Sequence, residues 1–162
     1  MPTPQELEDK LWKSLKSDMT VMLGLRGDKD GHRRPMTAQV EDGSTTLWFF
    51  SAKGTDLVDA LAAGGGDGQI CYASKGHDIF ACIDGTLSLD NDPATIDRLW
   101  NSHVAAWYED GRNDPKIALL RFEPAHAEIW KDGSSLVAGI KSLFGSDPKK
   151  DYAENKAEVS LG

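Results

Sequence analysis

Between Thr20 and Trp130 the chain runs through short apolar segments joined by turn-forming stretches, and strands joined in that way pair antiparallel. A parallel sheet needs a helix between successive strands, and no such alternation is present. Thr46 to Ser51 (TLWFFS) is the clearest strand, entered through the turn-forming Glu41-Asp42-Gly43-Ser44. Thr20 to Leu25 precedes it, then a loop at Gly27 to Gly31 and a strand expected from Arg34 to Val40, with Pro35 at its start where a missing N–H is tolerable. Gln69 to Ala73 and Ile79 to Leu89 read as a further hairpin whose second arm is long enough to bend around a barrel. Ile117 to Glu123 and Ala125 to Trp130 follow as two more strands. The expected fold is mainly β, a six-stranded antiparallel β-barrel, closed or split, with flanking helices, because closure removes exposed sheet edges.

Helices are expected at the periphery. Gln5 to Lys16 places Leu7, Leu11, Trp12 and Leu15 at helical spacing, an amphipathic pattern suited to covering a sheet. Asp56 to Ala63 turns Leu57, Val58 and Leu61 to one side, with Thr55 as N-cap and the glycines at 64, 65, 66 and 68 ending it. Asp92-Pro93 opens a helix through Trp100, an N-cap followed by Pro at the first helical position. A last helix is expected at Ser135 to Phe144. The chain is read as one domain over residues 1–162, with 1–4 and 146–162 flexible or arm-like.

Charge narrows the partners. With 18 Lys and Arg against 26 Asp and Glu, the net charge is -8, which disfavours coating a nucleic acid and leaves room for one small anionic ligand. No apolar run approaches the roughly 20 residues of a membrane helix, and the start of the chain, Met1 to Lys10, is polar and acidic rather than signal-like, which points to a cytoplasmic protein. Cys71 and Cys82 read as small core residues. If Ser74 to His77 forms a tight turn, Cys71 faces Phe80 and Cys82 lies diagonally across, roughly 7 Å away and too far for a relaxed disulfide.

His32, Arg33 and Arg34 gather positive charge where a loop enters a strand. A solvated loop end would account for three adjacent cations, but these precede a strand next to the one ending in Phe50-Ser51, with Lys53 and Thr55 following at a helix start. Cations, a hydroxyl from Ser51 or Thr55 and the free N–H groups of a helix start suit a phosphate. Met36, Phe49 and Phe50 supply an apolar wall beside it, so the segment reads as a nucleotide-like cofactor site. No dinucleotide fingerprint, P-loop or nucleophile elbow occurs, and His32, His77, His103 and His126 are not spaced as metal ligands.

Four features carry a specific resemblance: His-Arg-Arg-Pro-Met (32–36), Leu-Trp-Phe-Phe-Ser (47–51) with Lys53 and Thr55, Trp-Tyr-Glu-Asp-Gly with Asn-Asp-Pro (107–115), and Ala-Glu-Ile-Trp (127–130). In this order and spacing the chain resembles the pyridoxamine 5'-phosphate oxidase-like FMN-binding split barrels, most closely their general stress protein branch, over roughly residues 5–161. The resemblance implies a homodimer with two FMN molecules at the subunit interface. It places Arg34, Pro35 and Met36 on one side of the flavin and Phe50 and Ser51 on the other, with Lys53 and Thr55 at the phosphate. Trp107 and Trp130 would lie near the isoalloxazine ring. A core aromatic at a strand end is an equal reading for Trp130.

Two departures shape the function expected. Leu57 stands where the family often carries a phosphate-binding Lys. Lys131 to Leu136 lacks the Arg-rich segment that would hold a phosphorylated pyridoxine, so oxidation of that substrate is not expected. The leading reading is an FMN-binding protein, with FAD as the alternative flavin, acting as a flavin-dependent oxidoreductase linked to stress. The others are a non-catalytic flavin carrier or redox sensor, and a split barrel using a deazaflavin or haem.

Overall fold

The structure is a computed structural model and describes residues 2–27, 31–62, 64, 66–132 and 156–161. Its strands are β1 (Thr20–Leu25), β2 (Arg34–Thr37), β3 (Gln39–Val40), β4 (Leu47–Ala52), β5 (Gly66–Ala73), β6 (Ile79–Leu89), β7 (Ile117–Lys131) and β8 (Lys156–Ser160). They form one antiparallel sheet in the order β2-β1-β5-β6-β7-β4-β3, with β8 beside β7. The two ends of that order, β2 and β3, are neighbours in sequence across Ala38. The sheet therefore curls until its ends meet, a nearly closed barrel.

Four strand expectations change. The Arg34 to Val40 strand divides at the fully buried Ala38, because β2 pairs with β1 while β3 pairs with β4. The two strands expected at 117–123 and 125–130 are one, β7. Pro124 does not break it, because it sits opposite Gly85 at the bulge between Asp84 and Gly85, where the ladder is already irregular. Gly66 and Gly68, expected to end a helix, lie within β5. Residues 156–160, within the tail expected to be flexible or arm-like, pair with β7 as β8, and with the division at Ala38 and the merger into β7 the described strands number eight against the six of the expected barrel.

The helices are α1 (Pro4–Ser17), α2 (Asp56–Ala62), α3 (Pro93–Leu99) and α4 (Ser102–Ala105), with a short 3-10 turn at Gly111–Asn113. In α1, Thr3 and Glu6 form a capping box, and Leu7, Leu11 and Leu15 join the barrel core as the i, i+4 spacing dictates. Asp92 caps α3 through Thr95 N–H. The sequence reading missed α4, capped by Asn101 accepting from Val104 N–H at 3.0 Å. The helix expected at Ser135 to Phe144 lies outside the described residues. Among the described residues no helix is long and apolar enough to cross a membrane.

Both faces of β4 are covered. Leu47 and Phe49 point into the barrel, while Trp48 and Phe50 meet a second layer built from Ile96, Leu99, Val104 and Tyr108. That double burial explains why the segment is a continuous apolar run rather than an alternating one.

The hairpin of β5 and β6 corrects the cysteine register. The connection is Ser74 to Ile79 rather than a tight turn, with His77 at a φ of 54°. Ser74 organises it. Its hydroxyl donates to Asp78 at 2.6 Å and accepts from the N–H groups of Asp78 and Ile79 at 3.1 and 3.2 Å. Two more residues in the connection move the pairing by two, so Cys71 faces Cys82 directly and not Phe80.

Candidate functional site

Register opens a cleft at the barrel's seam. Extending the β3–β4 ladder, in which Val40 faces Leu47 and Gln39 faces Trp48, would set Thr37 opposite Phe50 and Pro35 opposite Ala52. Instead Thr37, Met36 and Pro35 pair with Thr20, Val21 and Met22 of β1. The end of β4 is thus left without a partner strand on that side, and the gap holds a cleft of about 360 Å³.

Its two walls are Pro35, Met36, Thr37 and Gln39 on one side and Phe50, Ser51 and Ala52 on the other. His103, Val104, Trp107 and Tyr108, from α4 and the turn after it, close the end. Phe50, Trp100 and Tyr108 pack with ring centroids 6.0 to 6.5 Å apart, a stiff aromatic base. Tyr108 donates its hydroxyl to the Ser51 carbonyl at 2.5 Å, which ties the turn after α4 to the end of β4. Burial first, then Asp114, pushes the Tyr108 phenol up to about 12. Trp107 is 84% exposed, an unusual state for an indole beside a cleft. A second recess of about 540 Å³ shares Thr37, Gln39, His103 and Trp107 and runs out past Met19 and Asn101.

Five of the residues singled out from sequence meet at this cleft: Pro35, Met36, Phe50, Ser51 and Trp107. Arg34 and Lys53 flank it along the chain. The Arg34 guanidinium lies 3.8 Å from the almost fully exposed Asp56 carboxylate, a weak pairing in solvent, and Lys53 is exposed. Thr55 is spent as the helix cap of α2, its hydroxyl donating to the Ala52 carbonyl and accepting from Val58 N–H. Leu57, the departure from the family's Lys, is buried in the barrel core.

The remaining candidates lie elsewhere. Phe49 is fully buried inside the barrel, because adjacent strand residues face opposite ways and Phe50 already faces out. Arg33 folds back on its own loop, donating to the carbonyls of Leu25, Gly31 and His32 and to Gln69. His32 is exposed beside it. Trp130 stands far along β7, opposite Phe80, with the Lys156 ammonium 5.6 Å over its ring. Within one chain it does not reach the cleft.

Sequence reasoning missed Thr37, Gln39, His103, Val104 and Tyr108. Tyr108 was within reach, since it belongs to the same Trp-Tyr-Glu-Asp-Gly stretch as Trp107. Among the described residues no group of three or more His, Cys, Asp or Glu side chains gathers as metal ligands. The chemistry of the cleft, an apolar slot on a base of mutually tilted aromatic rings, the Ser51 and Gln39 polar groups, and the half-buried Arg34 and exposed Lys53 alongside, fits a ring system with an anionic tail.

The chain is similar to proteins of known sequence and structure. The family model described as pyridoxamine 5'-phosphate oxidase like matches residues 6–151. A crystal structure of a general stress family protein from Xanthomonas campestris pv. campestris is 57% identical, covering 83% of this chain and 93% of that one, with a TM-score of 0.77. The general stress FMN/FAD binding protein from Xanthomonas citri is 55% identical over 81% of this chain and 92% of its own, with a TM-score of 0.76. General stress protein 26 of Bacillus subtilis is 23% identical over 64 residues, 40% of this chain and 45% of that protein, so the match spans under half of that relative's length.

Proposed function

Because the chain belongs to the pyridoxamine 5'-phosphate oxidase like family, we propose that its cleft binds a flavin, FMN in the first instance, and that the protein is a flavin-dependent oxidoreductase. The observation that carries this reading is the seam cleft itself, with Phe50 in one wall and the 84% exposed Trp107 at its end. The Pro35–Met36 and Phe50–Ser51 walls would hold the ring, and Arg34 and Lys53, whose charges no buried partner among the described residues neutralises, would hold the phosphate.

A bound flavin supplies hydride acceptance and electron transfer. The chain's own part is to bind, orient and exclude water. Ser51 and Gln39 offer polar groups to the ring's edge, and Phe50, Trp100 and Tyr108 hold the wall rigid. Tyr108 is not a proton donor at neutral pH, since its proton is committed to the Ser51 carbonyl and its ionisation lies at about 12. That committed proton favours one second reading, a flavin carrier or redox sensor without steady turnover. A homodimer completes the site in this proposal: a second copy covers Trp107 and brings Trp130 to the ring.

The visible spectrum of freshly purified protein, followed by FMN titration, tests the reading. Expected are saturable flavin binding, a species larger than the 17.7 kDa monomer, and weaker binding in Arg34→Ala and Lys53→Ala by roughly tenfold or more each, as for a lost charge-assisted contact. A colourless protein with no saturable FMN binding overturns it. If FMN binds but neither NADH nor NADPH bleaches it, the carrier or sensor reading replaces the reductase.

A further inference from the structure

Cys71 and Cys82 stand directly opposite one another on β5 and β6, both half-buried free thiols, with their sulfurs 4.0 Å apart. The hydrogen-bond alternation of the hairpin decides what kind of pair they are. Ser74 N–H donates to the Ile79 carbonyl at 3.0 Å, and in an antiparallel ladder every second pair repeats that bonded pattern. Tyr72 and Ala81 then form a bonded pair, and Cys71 and Cys82 fall in the narrow, non-bonded kind. In such a pair the α-carbons approach to about 4.5 Å, inside the roughly 4.4–6.8 Å that a disulfide spans.

The surroundings leave the sulfurs free to close that gap. Their strand neighbours Ile70, Tyr72, Ala81 and Ile83 point into the barrel core, so both thiols lie on the outer face. Across the ladders they meet Met22 on β1 and Glu128 on β7. Side-chain rotation on that face brings the sulfurs together without changing register or moving a core residue.

We propose that Cys71 and Cys82 form a reversible intrachain disulfide, with a hydroperoxide as the oxidant. One thiol, attacking as its thiolate, breaks the O–O bond, becomes a sulfenic acid and releases an alcohol. The second thiol attacks that sulfur, the S–S bond forms, the S–O bond breaks and water leaves. Two thiols and one hydroperoxide thus give one disulfide, one alcohol and one water, and an external dithiol restores both thiols. Burial first, then Cys71, Glu128 and Asp84, pushes the Cys82 thiol up to about 11, which slows its reaction at neutral pH. None of this depends on what the seam cleft binds.

The test treats the full-length folded protein with a small excess of hydrogen peroxide, then alkylates it under denaturing conditions for intact-mass and peptide analysis. Expected are the joint loss of both alkylatable thiols, a mass lower by two hydrogens, a Cys71–Cys82 cross-link within one chain, and full reversal by dithiothreitol. Cys71→Ser and Cys82→Ser should each stop at a sulfenic acid that a dimedone probe captures. The proposal is overturned if the wild type keeps both thiols at peroxide levels that oxidise the single variants. It is equally overturned if each thiol oxidises independently to a sulfinic acid, or if the only cross-link joins two chains.

Discussion

Tyr108 donates its hydroxyl to the Ser51 carbonyl at 2.5 Å, tying the turn after α4 to the end of β4 and so holding the end of the seam cleft in place. Tyr108→Phe keeps the ring among Phe50 and Trp100 and removes only that bond. It should cost about 1 kcal/mol, read as a lower urea midpoint with unchanged slope. An unchanged midpoint would show that the bond contributes nothing net.

The same phenol makes stability fall at alkaline pH. Its folded value, about 12, lies above the ordinary 10.0, so the folded state holds this proton more tightly than the unfolded chain. The contribution is fully present below pH 10 and is lost as the pH rises toward 12. Unfolding free energy should therefore drop more steeply across that window in the wild type than in Tyr108→Phe. Parallel curves would mean that Tyr108 ionises as it does in the unfolded chain.

Gly24 controls the approach of the basic segment. A Cβ there would lie 2.4 Å from the His32 carbonyl oxygen and 2.7 Å from Arg33 Cδ, so Gly24→Ala must push away the segment leading into Arg34, Pro35 and Met36. A loss of about 1–3 kcal/mol is expected, together with weaker FMN binding. Gly76→Ala serves as the control, because its Cβ would meet nothing nearer than Asp78 Oδ1 at 3.9 Å. Equal stability of the two variants would refute the close approach.

Asn101 caps α4, which brings His103 and Val104 to the cleft and leads into Trp107. Asn101→Ala should cost about 1 kcal/mol and, if the seam cleft is the flavin site, weaken FMN binding further than that loss of stability explains. Calorimetry and an FMN titration on the same preparation check both parts. A variant that loses stability but binds FMN unchanged would detach α4 from the site.

Much of the architecture was legible locally. The stripe Leu7, Leu11, Leu15 and the apolar segments Thr20 to Leu25 and Ile79 to Leu89 declared their elements, because side-chain period and turn chemistry act within a few residues. Alternation also carried more than was read from it. Phe49 and Phe50 cannot face the same way, so only one could line a cleft. The Ser74 to Ile79 connection was misjudged because Ser74 uses its side chain, not a tight backbone turn, to close the hairpin.

By itself the sequence determined an antiparallel, turn-rich β domain, its family, and the segments around the seam, since periodicity, turn composition and motif order are properties of neighbouring residues. Only the tertiary structure decided that the Arg34 to Val40 strand parts at Ala38, that the parting opens the cleft, and that Cys71 faces Cys82. Those outcomes depend on which distant strand takes each backbone hydrogen bond. That competition is settled by closure of the whole barrel and leaves little trace in any one segment.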